Sequence, residues 1–445
     1  MPSRPNTTPN IRLRQLRRAR GFTQKRLAEL IQVSRDTERD WEYGRIAIPH
    51  IRQLKALADV LGVPMGHLGF AGLNQPADEA IDLSRDPYEH AALSRALLVF
   101  CDDEQMKRRA FTLLTGAALV GPATQHLITP LSDPATHDGS KMQITNELVD
   151  NLDGANAWLR DMDDLVGGET LLQVTRDQLH LVTDLANNGR YGERTSRRLH
   201  SALAELLRTA GWQSFDTGHH AQAQHLWITA LRAAHEAGDH ALRANILGWM
   251  SDQAKEINVA DAVPLAQAAL ETYRGNNPKV HTLLHLQAAK AYGYSRDLKN
   301  CQRAIDACFD SWSKVNPADQ APSWTYWIDE RAIHTRAAGF SYYAMGKWTK
   351  AQHHLETAIA LHNPKQIRDH GLCYTMLAIA QLAQRNVEQA CNSASKTLDL
   401  FGNDIQSALC AAYLNRFTGK LQRYQTSPAG RDFLQKMRSI HTTAA

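Results

Sequence analysis

The side chains best placed to do specific chemistry stand between Arg17 and Asp40. Thr23 and Ser34 carry hydroxyls that accept hydrogen bonds from the unpaired amides at a helix start, and each precedes a run with helical apolar spacing. Arg35 and Arg39 carry planar guanidiniums that can pair with two acceptors at once, the geometry that reads the O6 and N7 edge of guanine; Arg35 is the first candidate. Asp36 and Asp40 can accept from cytosine N4, or pair along the helix surface with Arg35 or Arg39. Gln24, Arg17, Arg18 and Lys25 offer N–H donors suited to phosphate oxygens, and Thr23 and Ser34 could add hydroxyls and amides.

These residues need two short helices, about 8 and 10 residues long, joined by a tight turn. Leu27, Ala28 and Ile31 supply the inner face of the first, Val33 closes the turn, and Trp41 anchors the second in the core. That spacing is a helix-turn-helix. A basic helix is expected before it at Ile11 to Arg20, with two closing helices at about 50–61 and 64–70, Pro64 fitting a first helical turn. Residues 1–70 carry a net charge of +7, against +4 for the whole chain, so the footprint for a polyanion lies on this segment alone.

The string Gly21, Phe22, Thr23, Gln24, Leu27, Ala28, Val33, Ser34, Trp41, Glu42 and Gly44 resembles the lambda-repressor-like (Xre) helix-turn-helix family. The resemblance implies a five-helix domain over residues 1–70 whose second paired helix enters the major groove of double-stranded DNA. The chain departs from the pattern at Asp36 and Asp40, which put negative charge near phosphates. It also departs at Glu38, in place of an apolar residue, and at Gln32, in place of a frequent turn glycine.

Length and composition bound the rest. A chain of 445 residues with 43% hydrophobic residues divides into two or three folded domains. Six scattered cysteines with no C-x-x-C pair read as reduced structural thiols. Among 20 histidines, His219, His220 and His225, or His353 and His354, come nearest to ligand spacing, yet no acidic or cysteine partner recurs beside them; no metal or other cofactor is expected. No Walker loop, G-x-S-x-G, H-E-x-x-H or Gly-rich dinucleotide turn occurs, so no enzyme is expected. Residues 107–124, with Arg108, Arg109 and Phe111 before a short apolar run, look like a twin-arginine signal. They stand far from the N-terminus, and the run is too short to span a bilayer. A helix packing on its neighbours and a cytoplasmic protein without membrane contact are the expectation.

From Gly339 the chain reads Gly339, Tyr342, Gly346, Ala351, Leu355, Ala358, and from Gly211 the same intervals give Gly211, Ser214, Gly218, Ala223, Trp227, Ala230. Weaker copies begin at Gly248, Ala289 and Ala378. Small residues let two antiparallel helices approach and a glycine ends the first of them, a pattern that resembles the tetratricopeptide repeat. The expected architecture is all-α: a helix-turn-helix domain at 1–70, a linker with a helical centre at 71–141, and an α-solenoid of helical hairpins at 142–445. Trp227, Tyr342 and Leu355 are expected in the core. Positions one and five residues after each leading small residue point to the face that binds partners, with others one turn earlier. They select Arg208, Trp212, Asp216, Asn245, Trp249, Lys290, Tyr294, Arg336, Phe340 and Tyr343, a groove for a peptide or small-molecule effector.

A helix-turn-helix followed by such repeats is similar to actinobacterial Xre-type regulators with a tetratricopeptide-like tail, on residues 210–254 and the KRRAF segment before them. The resemblance implies a dimeric, effector-responsive transcriptional regulator. The alternative is a protein-interaction adaptor whose helix-turn-helix has lost DNA binding, as Asp36, Glu38 and Asp40 would permit.

Overall fold

The computed structural model describes residues 10–43, 51–61, 63, 68, 70, 82–84, 88, 90–101, 111–131, 137–138, 142–361, 367–401 and 407–443. The protein is all-α; among the described residues the β structure includes a two-residue antiparallel ladder that pairs His137 with Tyr191 and Asp138 with Arg190, and an isolated bridge between Gln143 and Arg190. Two compact units are distinguished: Met1–Asp82 with Asp102–Thr112, and Leu83–Cys101 with Leu113–Ala445. Gly44, Pro64, Arg108, Arg109 and Pro364 fall outside the described residues, as does most of the fifth helix expected over 64–70.

The first unit contains α1 (Ile11–Ala19), α2 (Gln24–Leu30), α3 (Arg35–Glu42) and α4 (Ile51–Leu61), the first three of which begin at polar caps. Asn10, Thr23 and Ser34 side chains accept from the amides of Leu13 (2.9 Å), Arg26 (3.1 Å) and Thr37 (3.0 Å), each relieving an orphan donor of the first turn. Gln32, where a glycine was expected, takes the left-handed turn itself at φ +58°. Leu13, Leu27, Ala28, Ile31, Leu57, Leu61 and Leu68 fill the core around Trp41, which meets Phe70 edge to face at 6.3 Å.

Beneath α3 lies a buried ionic knot. Arg17 donates through Nε (2.7 Å) and Nη2 (3.1 Å) to Glu42 and through Nη1 to the Phe22 carbonyl (2.8 Å). Gln24 Nε2 adds a bond to Glu42 (2.8 Å). Burial works against the Glu42 charge, but the bonds from Arg17 and Gln24 outweigh it and hold its carboxyl below the ordinary range. Glu38, fully buried beside them, goes the other way: burial, then the Glu42 carboxylate, push it up to about 8 against the pull of Arg17 and Arg14. At neutral pH Glu38 is therefore a neutral acid, which is how a glutamate occupies an apolar position of the pattern.

The second unit is a series of helix pairs: α7 (Asn146–Val166) with α8 (Gly168–Asn188), α9 (Glu193–Asp216) with α10 (His220–Glu236), α11 (His240–Ile257) with α12 (Val259–Thr272), and α13 (Pro278–Tyr294) with α14 (Leu298–Ser313). The next pair opens with a composite helix, α15 (Glu330–Ala332) running through a π-helical stretch (Ile333–Gly339) into α16 (Phe340–Ala344), and closes with α17 (Trp348–Ala360). Then come α18 (Ile367–Ala383) with α19 (Val387–Phe401), and α20 (Ala408–Leu421) with α21 (Pro428–Thr443). First helices of successive pairs also touch: α9 with α11, α11 with α13, α13 with α16 and the π stretch, α18 with α20.

The small residues act as their spacing suggests. A Cβ on Gly211 would collide with the Trp227 indole, whose Nε1 donates to the Arg208 carbonyl (3.1 Å), and one on Gly339 would stand 2.9 Å from Leu355. Gly218 and Gly346 turn the chain at φ +87° and +69°, a role that Arg296 and Arg385 fill in two other pairs. Trp227, Tyr342 and Leu355 are buried. Within the helical centre expected over 88–120, the described residues include α5 (His90–Cys101) and the start of α6 (Ala117–Thr124), both packed on this unit. Gln224 exchanges two hydrogen bonds with the Leu114 backbone (2.8 and 3.0 Å), and Asp261 accepts from the Gly116 amide (2.8 Å).

Two outcomes test this packing. Unfolded Glu38 loses its proton near the ordinary 4.5 and folded Glu38 near 8, so the folded first unit holds one proton more in that window. Its stability should fall as pH rises from 4.5 to 8, by up to about 1.4 kcal/mol per pH unit. Glu38→Gln, which keeps the shape and a donor toward Glu42, should flatten that slope and stabilise the unit at pH 8 by about 1–4 kcal/mol. Hydrogen exchange of the α2 and α3 amides in the intact chain, corrected for intrinsic rates, reads both effects. In the second unit, Gly211→Ala should cost about 1–3 kcal/mol in urea unfolding because the added methyl overpacks against Trp227.

Candidate functional site

The groups at the start of α3 are outward-facing. Ser34, Arg35 and Asp36 are exposed, while Trp41 and Glu38 anchor the opposite side of the helix in the core. Asp36 pairs with Arg39 (3.1 Å) along the surface, the neutralising arrangement that a helix allows at i, i+3. Asp40 and Arg39 are half-buried. Arg18, Lys25 and Thr23 are exposed, on α1, the first turn of α2 and its cap.

Two of the expected phosphate donors are placed otherwise. Arg17 is only 8% exposed and spends its guanidinium on Glu42 and Phe22, so it supports α3 from within. Gln24 is half-buried and has committed one N–H to Glu42. The reason lies in spacing: Arg17, Gln24 and Glu42 come from three helices that converge on one interior point, which a linear reading of α1 as a basic face does not reveal.

In the second unit, four of the ten selected groove residues come together. Arg208, Trp212, Trp249 and Arg336 line a cavity of about 60 Å³. Trp212 and Trp249 lie 4.6 Å apart between centroids and Trp327 follows at 5.8 Å, so three indoles form one wall. Arg368 sits over Trp212 and Arg336 over Trp327, each at 5.1 Å. Arg336 belongs to the π-helical stretch and pairs with Asp369, which Arg331 also approaches (3.5 Å). Burial raises the Asp369 carboxyl, but these two arginines outweigh it and hold it well below the usual range.

Arg368 is the centre of the arrangement. From the first turn of α18 it reaches Asp163 (3.0 Å) and Asp164 (3.2 Å) on α7 and Asp216 (3.2 Å) on α9. Asp163 also accepts from Trp212 Nε1 (3.1 Å), Asp164 from the Tyr326 hydroxyl (2.7 Å), and Asp216 from Ser407 (2.8 Å). Burial lifts the Asp164 carboxyl to about 6 despite Arg368, and burial brings Arg208 and Arg160 each down to about 10. Arg160 in turn binds Glu205. Asp216 is thus a support for Arg368, one step behind the cavity wall.

The other selected residues lie elsewhere. Lys290, expected as a counter-ion for a ligand, is buried against Asp252 (2.5 Å), which also takes Lys255 (2.7 Å). Burial brings the Lys290 amine down to about 7. Tyr294 bonds Tyr413 (2.8 Å), which donates to Glu256 (3.0 Å), and the Tyr343 ring lies tilted beside Tyr413. Phe340 is core, and Asn245 is buried without lining the cavity. Side chains that register alternation alone could not select are Arg160, Asp163 and Asp164 at the end of α7, Tyr326 and Trp327 before α15, and Arg368 and Asp369 opening α18. The aromatic run Trp324, Tyr326, Trp327 in a connection between helix pairs was the available signal.

Among the described residues no group of three or more His, Cys, Asp or Glu could hold a metal ion, and no helix is long and apolar enough to cross a membrane. His225 instead accepts from the Leu83 amide (3.1 Å), and His354 meets His334 at 3.0 Å. Cys301, Cys308, Cys373, Cys391 and Cys410 are buried and form no disulfide.

Residues 11–68 match the family model described as "Helix-turn-helix domain". No curated protein and no solved structure matches the chain. The capped helix pair, its core and the match cover the same stretch: residues 11–68 are a helix-turn-helix domain.

Proposed function

We propose that the chain is a sequence-specific transcriptional regulator of the Xre type, not an enzyme, acting in the cytoplasm. The observation that carries the reading is the start of α3, where Ser34, Arg35 and Asp36 are exposed on a helix locked from behind by Trp41 and the Arg17–Glu42 pair. A recognition helix needs that combination, because base readout works only if the reading side chains are held in register. Arg35 is assigned to a guanine edge, Arg39, Asp36 and Asp40 to neighbouring bases or to positioning Arg35, and Arg18, Lys25, Thr23 and Ser34 to phosphates. Gln24 contributes its remaining N–H, and Arg17 acts only as a support.

The helical-repeat unit is assigned to binding an effector, peptide or small molecule, and to homodimerisation. A dimer would place two recognition helices on half-sites about 34 Å apart. Effector binding would alter operator affinity by favouring one arrangement of the pair. The pairing of Asp36 with Arg39 supports DNA binding over the adaptor reading, since it removes part of the negative charge that would repel phosphates.

Genome-wide occupancy of the tagged wild type beside Arg35→Ala tests the proposal. Sharp peaks sharing one motif in the wild type, lost in the variant, are expected; absence of peaks in cells that contain the folded protein would sink it. On an operator so identified, Arg35→Ala should cost about 1–3 kcal/mol, with little change on random DNA. An equal loss on both would make Arg35 a phosphate contact.

A further inference from the structure

We infer that the cavity between α7, α9, α11 and the start of α18 binds the charged head of a small zwitterion, an ammonium and a carboxylate on neighbouring carbons as in a free α-amino acid. This deepens the proposed effector reading and rests on it only for its regulatory consequence.

Three buried polar atoms of cavity-lining residues have no hydrogen-bond partner: Arg208 Nε, Trp249 Nε1 and Asp163 Oδ1. Their residues are 5%, 6% and 4% exposed, so water outside does not satisfy them. Each unmet buried donor or acceptor is costly, and three around one cavity define what would relieve them. Two are N–H donors, matched by the oxygens of a carboxylate. The third is a carboxylate oxygen, matched by an N–H donor such as an ammonium.

Charge balance favours a ligand bearing both signs. Ions of both signs line the cavity, and each already faces an opposite charge: the guanidiniums of 160 and 208 face Glu205, that of 336 faces Asp369, and that of 368 faces Asp163, Asp164 and Asp216. A lone anion or cation would therefore enter an interior site whose charges are already paired, at a desolvation cost that a zwitterion avoids. Size points the same way. A dry cavity of about 150 Å³ admits benzene, so the roughly 60 Å³ here takes a head group of a few heavy atoms and leaves the remainder of the ligand at the open side. The indole wall of Trp212, Trp249 and Trp327 would lie against its apolar part.

The test is calorimetry on the intact chain with each proteinogenic L-amino acid at millimolar concentration. At least one should bind, and its N-acetyl derivative and its decarboxylated amine should each bind at least about tenfold more weakly. Trp249→Phe, which removes an N–H that bonds to nothing in the protein, should weaken binding about tenfold with unchanged circular dichroism and cooperative unfolding. The inference is overturned if no amino acid binds the folded chain. It is also overturned if the N-acetyl form binds equally, which makes the cavity an anion site, or if a tripeptide ending in the same residue binds as tightly, which makes it a peptide-terminus site. Operator affinity measured with and without the bound amino acid separates the two levels: binding without an effect on DNA leaves the site standing and ends its regulatory reading.

Discussion

The helical-repeat unit depends on one buried cation. Arg368 stands at the start of the sixth helix pair and is held by three carboxyl groups of the first two pairs, roughly the whole repeat series away in sequence. Repeat arrays are normally stabilised by nearest neighbours, each pair leaning only on the next. Here a long-range contact is added, and α7 touches α18 directly. Taking a guanidinium out of water is expensive, and it persists only because every carboxylate it meets is anchored in turn: Asp163 by Trp212, Asp164 by Tyr326, Asp216 by Ser407. Removing one member of such a set strands the others, at a cost on the order of 3–5 kcal/mol. The contact that ties early pairs to late ones is therefore also what shapes the cavity wall.

The helix-turn-helix domain solves a smaller problem by the same means. Its helix α3 is only eight residues long and cannot hold itself in place by propensity. Trp41 supplies apolar burial, Arg17 ties Glu42, the last residue of α3, to the turn at Phe22, and Gln24 donates to Glu42 directly. The exposed first turn is thereby held from its other end. Glu38 shows the limit of this strategy. Arg17 and the half-buried Arg14 both pair with Glu42, which keeps its charge, while burial leaves Glu38 with its proton.

Much of the candidate DNA-reading face was legible because it depends on local chemistry. A hydroxyl before an apolar run is a cap in most folds, and Thr23 and Ser34 behave as such. The cavity was legible only in part. Periodicity along one helix type placed Arg208, Trp212, Trp249 and Arg336 on a shared face, but the same rule also selected Lys290, Tyr294 and Tyr343, which serve a separate buried network one pair further on. Regular spacing gives direction, and it carries no information on which charged neighbour arrives from a distant pair.

The sequence by itself determined the helix-turn-helix, the all-α class, the helix-pair turns at Gly218 and Gly346, and the close approaches at Gly211 and Gly339, because each follows from backbone freedom and side-chain size within a few dozen residues. Only the tertiary structure decided that the Arg17 guanidinium turns inward to Glu42 and Phe22. It alone brought α5 and α6 onto the repeat unit, and set Arg368 of the sixth pair against the aspartates of the first. Those outcomes turn on which ions share a buried site, and a buried charge takes its partner from whatever the fold delivers within about 4 Å, however far away that residue stands in the chain.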